Sequence, residues 1–132
     1  MSQAIIESAL EQLIEKGGDL GQDCFALFFQ RSEEGRDLME HMDDVHRGKM
    51  MAEIYRLMLT PDLVTETDYL NWESKNHQRA YFVPKSLYPI FMDAFMESIS
   101  GYLGPAWTGE IAEAFQAQCD RIVQEIQARY TD

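Results

Sequence analysis

Three histidines are the side chains of this 132-residue chain best suited to bind a metal at neutral pH. His41 and His46 stand at the two ends of the run HMDDVH, five residues apart. Because a spacing of five does not place two side chains on one helical face, the run is better explained as a capped helix start than as a metal site. His77 stands alone near the end of a polar segment, seven residues before Pro84. Taken by itself, His77 indicates only a histidine at a helix end.

The two cysteines, Cys24 and Cys119, lie within apolar helical patterns and follow no framework spacing. We therefore interpret them as buried structural thiols. Attachment of a prosthetic group through thioethers would need a Cys-x-x-Cys-His run, and the sequence has none. A reduced, cytoplasmic setting is the simplest interpretation of this cysteine usage.

The elements that must position these side chains are helices, since apolar residues recur at spacings of three and four. No segment shows a period of two, so no strand is predicted. Gly17 and Gly18 are expected to end the first helix, and Asp19 to cap the second. Ser32, Asp43 or Asp44, and Thr108 are the other expected caps. The predicted helices cover residues 4–16, 20–31, 33–38, 44–59, 68–77, 84–102 and 109–130.

Length and composition indicate a single domain over residues 1–132, with 45% apolar residues available for a core. The net charge of -12 argues against nucleic acid as a partner and against binding to an anionic membrane surface. No apolar stretch approaches 18 residues, so no transmembrane helix is expected. The N-terminal segment is acidic and helical in its spacing, unlike a signal peptide.

Four sequence features, whose shared order covers nearly the whole chain, resemble the bacterial single-domain globins and the globin domain of flavohaemoglobins. One is His77 followed by Val83 and Pro84, since the family places a proline seven residues after its iron-binding histidine. The other three are CFALFFQR at 24–31 followed by RDLM at 36–39, then YLG and AWT at 102–104 and 106–108, and Ala114-Phe115 in the last helix.

The resemblance implies an all-α globin fold of six to seven helices packed around a haem pocket, with haem b as the cofactor. It also implies that His77 is the proximal ligand of the haem iron. Such a ligand needs a rigid helix, apolar walls and an acceptor for its other ring nitrogen. We expect that acceptor among the free backbone carbonyls at the helix end.

On the distal side, the resemblance places His46 opposite the open position of the iron. There it would either hydrogen-bond to a bound gas or become a second iron ligand. Met50 would lie one turn later, and Phe25 would face the pocket where flavohaemoglobins usually carry tyrosine. Met39 stands where the family nearly always has phenylalanine, and methionine is adaptable enough to fill that space.

Basic residues near the two candidate ligands are expected to pair with the haem propionates, which are carboxylates. Lys49 is the best candidate, because it lies one turn from His46. Arg79 is the candidate on the proximal side, and Tyr81 and Val83 are assigned to the same pocket. The remaining basic residues in these two regions are Arg47 and Lys75.

The expected function is reversible binding of oxygen, nitric oxide or carbon monoxide at the iron. Nitric oxide dioxygenase or peroxidase-like chemistry is expected only as a secondary property. Relatives that detoxify nitric oxide place a tyrosine and a glutamate behind the proximal histidine. Here Leu87 falls at the tyrosine position, with Tyr88 adjacent, and Arg129 stands near the glutamate position. The alternative is a globin-fold sensor or interaction module without haem. The gas, the coordination number and a homodimer are left open.

Overall fold

The computed structural model describes residues 2–17 and 20–131, and within them every regular element is helical. The all-α prediction is confirmed. Gly18 and Asp19, the expected break and cap, lie outside the described residues. The seven α-helices are α1 (Ser2–Lys16), α2 (Leu20–Arg31), α3 (Glu33–Met39), α4 (Asp44–Met58), α5 (Thr67–Lys75), α6 (Leu87–Leu103) and α7 (Gly109–Ala128). Two 3-10 turns (Leu63–Glu66 and Gly104–Ala106) and a π-helical turn (Asn76–Ala80) connect them.

Three of the predicted caps are confirmed, and each accounts for where its helix begins. The Ser32 hydroxyl accepts from the Gly35 amide at 2.9 Å, and the Asp43 carboxylate accepts from the His46 amide at 2.8 Å. Thr108 caps α7 in the same way. Each cap satisfies one amide that has no partner inside its helix.

The α5 to α6 connection differs most from the prediction. The fifth segment leaves the α conformation at Lys75 and continues as the π-helical turn. Helix α6 begins at Leu87 and not at Pro84, since residues 84–87 form a turn closed by the Leu87 amide and the Pro84 carbonyl. Pro89 lies in the first turn of α6, where its missing N–H costs no helical hydrogen bond.

The core forms where α2 packs against α6 and where α1 and α6 pack against α7. Phe91 of α6 meets the rings of Phe25 and Phe28 edge-on, with centroid distances of 5.4 and 5.1 Å. Such pairs add to the hydrophobic free energy of burial. Helix α5 also packs on α7, so the segment that leads to His77 lies against the last long helix.

The end of the described chain is bound to the α5 to α6 connection. The Gln78 side chain donates to the Thr131 carbonyl and accepts from the Thr131 amide. The side-chain amide of Gln127 donates to the backbone carbonyl of Lys85 at 3.1 Å. None of the described helices is both long enough and apolar enough to cross a membrane.

Candidate functional site

His77 lies in the π-helical turn that follows α5, with a quarter of its side chain exposed. The turn is closed by the Tyr81 amide and the Asn76 carbonyl, and the His77 carbonyl accepts from the Val83 amide at 2.9 Å. Single π turns inside helices are frequent at functional sites. Because these backbone carbonyls are already engaged, the imidazole takes its partners from side chains, which corrects the expectation of a backbone acceptor.

A chain of three hydrogen bonds leads away from the Nδ1 atom of His77. Nδ1 lies 2.8 Å from the Tyr88 hydroxyl, which lies 2.7 Å from the Tyr130 hydroxyl. The Tyr130 hydroxyl donates to the Val83 carbonyl at 2.8 Å. Tyr88 is therefore the aromatic residue that contacts the histidine, and Leu87 beside it is buried in the core.

The direction of this chain fixes where the proton lies on His77. A carbonyl oxygen only accepts, so the single Tyr130 proton is used on Val83. The Tyr88 proton must then be donated to Tyr130, and the Tyr88 oxygen accepts from His77. Nδ1 is consequently the protonated donor, and Nε2 is the nitrogen left for another partner.

That other partner is Glu73, one helical turn before His77 on α5. Its Oε1 forms an ion-pair contact with Nε2, and its Oε2 accepts from the Tyr69 hydroxyl at 3.1 Å. Burial raises the pKa of Glu73, but the hydrogen bond and charge of His77, together with Tyr69, outweigh it, so the pKa lies below its ordinary value of 4.5. Because Nε2 and the carboxylate oxygen would repel each other as two bare acceptors, the contact contains a proton, and that proton must leave before Nε2 can bind a metal.

The tyrosines of this network stay protonated over the ordinary pH range. Burial, then the hydrogen bond with Tyr130, raises the pKa of Tyr88. Burial, then the charge of Glu73, raises the pKa of Tyr69. Burial also raises the pKa of Tyr130. Each hydroxyl can therefore act as a donor, as the direction of the chain requires.

The residues expected on the distal side do not form a comparable cluster. His46 lies in the first turn of α4 with two-thirds of its side chain exposed, and its Nδ1 is 2.8 Å from Asp43 Oδ1. Phe25 is fully buried against Phe29 and Phe91. Met39 and Met50 are half-buried and pack against the core.

The other candidate pocket residues are distributed over the surface. Lys49 and Arg79 are exposed, and Arg79 bonds to the Thr131 hydroxyl at 3.2 Å. Tyr81 is 61% exposed. Val83 is half-buried, and its carbonyl ends the hydrogen-bond chain from His77.

Arg47, which the sequence indicated only as a basic residue near His46, packs against two aromatic rings. Its guanidinium lies 5.3 Å from the ring centroids of both Phe25 and Phe29, a cation–π arrangement. Its Nη2 donates to the Glu40 carbonyl at 3.0 Å. This side chain covers the aromatic pair of α2 from the side of α4.

Two clefts open on the surface of the described residues, and His77 lines neither. One, of ≈ 590 Å³, is lined by Glu33, Glu34, Asp37, Leu38 and Phe82. The other, of ≈ 330 Å³, is lined by Gln78, Phe82, Val83, Pro84, Lys85, Tyr130 and Thr131. Phe82 lines both clefts, is 76% exposed and adopts a φ of 56°, which is rare for a bulky residue.

The residues present fit an iron-bound haem in part. A histidine that donates from Nδ1 to a fixed acceptor and keeps Nε2 for another partner has the polarity of an iron ligand. The rest of the site fits less well. On the opposite side the His46 side chain is mostly exposed to solvent, and on the proximal side Glu73 occupies Nε2. Among the described residues, no group of three or more His, Cys, Asp or Glu side chains is arranged to hold a bare metal ion.

Sequence reasoning singled out His77 but not Glu73 and Tyr130, which contribute to its surroundings. Glu73 had a detectable signal, since residues four apart share a helical face and here give a Glu–His pair. Tyr130 had none, because its contact with Tyr88 depends on how the end of α7 meets the α5 to α6 connection. No protein-family model and no curated protein matches the chain.

Proposed function

We propose that this chain is a globin-type protein that binds haem b through His77 and reversibly binds oxygen or another diatomic gas at the iron. The observation that carries the proposal is the directed hydrogen-bond chain from His77 Nδ1 to the Val83 carbonyl. An iron-binding imidazole is unprotonated at Nε2, and its Nδ1 donates to an acceptor. Tyr88 and Tyr130 impose the donor role of Nδ1.

The position of His77 also supports the proposal. It follows a short helix that packs on the last long helix, and its ring is held between side chains from α5 and α6. The Tyr88 ring lies nearly parallel to the imidazole, with an interplanar angle of 24°, and restrains its rotation. When bound, haem iron supplies an open coordination position for a diatomic ligand.

The protein's own residues have separate parts in this proposal. His77 binds the iron, and Tyr88 orients the imidazole. Phe25, Met39 and Met50 supply apolar surface on the opposite side, where the side chains are already half-buried or buried. Lys49 and Arg79 are exposed cations suited to the propionate carboxylates. His46 would have to turn from Asp43 to face the iron.

The test is the absorption spectrum of the folded protein after haem is added. We expect a strong Soret band for the wild type, its loss or shift in His77→Ala, and recovery of the band in His77→Gly with added imidazole. His41→Ala is the matched control, since His41 is exposed. A folded wild type without a Soret band, or an unchanged band in His77→Ala, would reject the proposal. The ferric and ferrous spectra of His46→Ala test the second-ligand hypothesis.

The alternative is a haem-free sensor or interaction module of the same fold. It is favoured by one observation: Glu73 occupies the nitrogen that iron would need. The spectrum discriminates the two, because a haem-free module gives no Soret band even with excess haem while keeping its helical circular dichroism.

A further inference from the structure

We propose that Glu73 is an internal competitor for His77, so that haem uptake exchanges the Glu73 carboxylate for iron at Nε2 and releases the proton of the Nε2–Oε1 contact to solvent. The inference rests on the proposed function and adds the residue that controls access to it. Its basis is that both ring nitrogens of His77 are already engaged, Nδ1 by Tyr88 and Nε2 by Glu73. An imidazole ring has only two nitrogens, so a metal that binds His77 must displace either Tyr88 or Glu73.

Glu73 is the partner that can leave. The Tyr88 hydroxyl is held beside Nδ1 by its bond to Tyr130, which is itself bound to the Val83 carbonyl, so it cannot move away without breaking these bonds. Glu73 is bound to His77 by Oε1 alone, and its side chain turns about three flexible bonds. Displacement of Glu73 costs one contact with a flexible side chain, whereas a ligand at Nδ1 would have to displace a hydroxyl that is fixed in place.

Tyr69 provides a partner for the displaced carboxylate. It lies four residues before Glu73 on α5, and its hydroxyl donates to Oε2 at 3.1 Å. The Tyr69 ring is itself held by Arg56 of α4, whose guanidinium lies 4.4 Å from the ring centroid. Because Tyr69 keeps its bond when Oε1 leaves His77, the half-buried charge never becomes unpartnered. The arrangement suits a displaceable contact better than a permanent ion pair.

Arg56 ties this arrangement to α4, the helix on which the distal candidates lie. It forms ion pairs with Glu53 on its own helix and with Glu66 at the start of α5. The position of Tyr69, and through it the resting position of Glu73, therefore depends on how α4 meets α5. Movement of α4 relative to α5 would loosen the same contacts that hold Glu73 in place.

The experiment compares wild type, Glu73→Leu, Tyr69→Phe and the control Glu11→Leu, which removes an exposed charge on α1. In the haem-free proteins, diethyl pyrocarbonate is added and modification of His77 is followed by mass spectrometry, with His41 and His46 as internal standards. Haem affinity is then measured from the Soret band. Circular dichroism verifies that each variant is folded.

We expect Glu73→Leu to increase both the modification rate of His77 and the haem affinity by about tenfold, the value of one charge-assisted hydrogen bond. After displacement Tyr69 is the one partner among the described residues left to the half-buried Glu73 carboxylate, whereas in the resting state His77 is a second partner. Loss of the hydroxyl therefore costs more in the displaced state, and Tyr69→Phe should reduce haem affinity severalfold. Glu11→Leu should match the wild type.

The possible failures are distinguishable. If wild type and Glu73→Leu bind haem through His77 with equal affinity, the competitor is disproved while the proposed function stands. If the folded wild type and Glu73→Leu both lack a Soret band, the proposed function fails and the inference fails with it, whatever the modification rates. Unchanged modification of His77 in a folded Glu73→Leu also counts against the inference.

Discussion

The side-chain amide of Gln118 donates to the backbone carbonyl of Leu57 at 2.9 Å, from a fully buried position in the middle of α7. The same nitrogen donates to the Thr60 carbonyl at 2.9 Å, and its Oε1 accepts from Arg121. The carbonyls at a helix end lack partners within the helix. Gln118 therefore supplies donors to the end of α4 and joins that helix to α7 by one side chain.

Replacing Gln118 with leucine should lower the free energy of unfolding by about 2 kcal/mol, because the Leu57 and Thr60 carbonyls would each lose the hydrogen bond from Gln118. Urea unfolding followed by circular dichroism measures this change. Gln116→Leu is the control on the exposed face of the same helix, where we expect a change within about 0.5 kcal/mol. Equal effects of the two substitutions would show that the Gln118 bonds contribute little.

Gly35 is required by the close approach of α3 to α2. A Cβ atom at this position would overlap the Phe28 ring, which is itself buried. We expect Gly35→Ala to destabilise the protein by about 1–3 kcal/mol. Gly48→Ala in α4 meets no neighbour, and should be neutral or stabilise by up to about 1 kcal/mol. Thermal unfolding of both variants is the measurement, and a stable Gly35→Ala would contradict this packing.

The Glu73–His77 contact predicts a pH dependence of stability below neutrality. The pKa of Glu73 is lower in the folded state than its ordinary value of 4.5, so the unfolded chain binds a proton first as pH falls. Stability from this group is therefore complete above about pH 4.5 and is lost as pH falls through the lower folded pKa. Relative to wild type, Glu73→Gln should show a flatter dependence over this window in urea titrations. If the free energy of unfolding depends on pH in the same way for both proteins, Glu73 does not contribute to the pH dependence.

The two cysteines should be unreactive in the native protein. Burial raises the pKa of Cys24 and of Cys119 to about 12, so almost no thiolate is present at pH 8. With Ellman's reagent, we expect slow labelling limited by opening of the fold, and two thiols labelled rapidly in guanidinium chloride. Fast labelling of either cysteine under native conditions would show that its helix opens locally.

In Tyr130→Phe, the hydrogen-bond chain should no longer require His77 Nδ1 to be the donor. Without the Tyr130 hydroxyl, Tyr88 loses the acceptor for its own proton and can donate to His77 instead. Imidazole ¹⁵N chemical shifts should then move toward the tautomer protonated at Nε2, with a stability loss of about 1 kcal/mol. Tyr55→Phe, on α4, is the control. Identical ¹⁵N spectra for wild type and Tyr130→Phe would show that the chain does not set the tautomer.

The helices were predictable because each carries a local signal. Apolar spacing located α1 to α7, and Ser32, Asp43 and Thr108 marked three starts with side-chain caps that the structure contains. The start of α6 was not predictable from Pro84, since Pro84 and Pro89 are both acceptable in a first helical turn. The turn closed by Leu87 and Pro84 decided between them.

The surroundings of His77 depended on contacts that spacing does not reveal. Tyr88 and Tyr130 are 42 residues apart, and their hydroxyls meet only because α7 ends beside the start of α6. The exposed position of His46 has a local cause, since Asp43 caps the helix and binds the imidazole at once. The sequence supports two roles for this region, a helix cap by Asp43 and a distal ligand at His46. The Asp43–His46 contact satisfies the first role and holds His46 away from the second.

The pairing of Gln78 with Thr131 makes a side-chain amide act as a peptide group, giving and receiving one hydrogen bond with the same backbone residue. Gln78 is the immediate neighbour of His77, so the last described residue of the chain is one side chain away from the histidine. A spin label or fluorophore attached at Thr131 would sense changes in this turn directly. A label at Thr131 would therefore report on the surroundings of His77 without relying on the absorption of a cofactor.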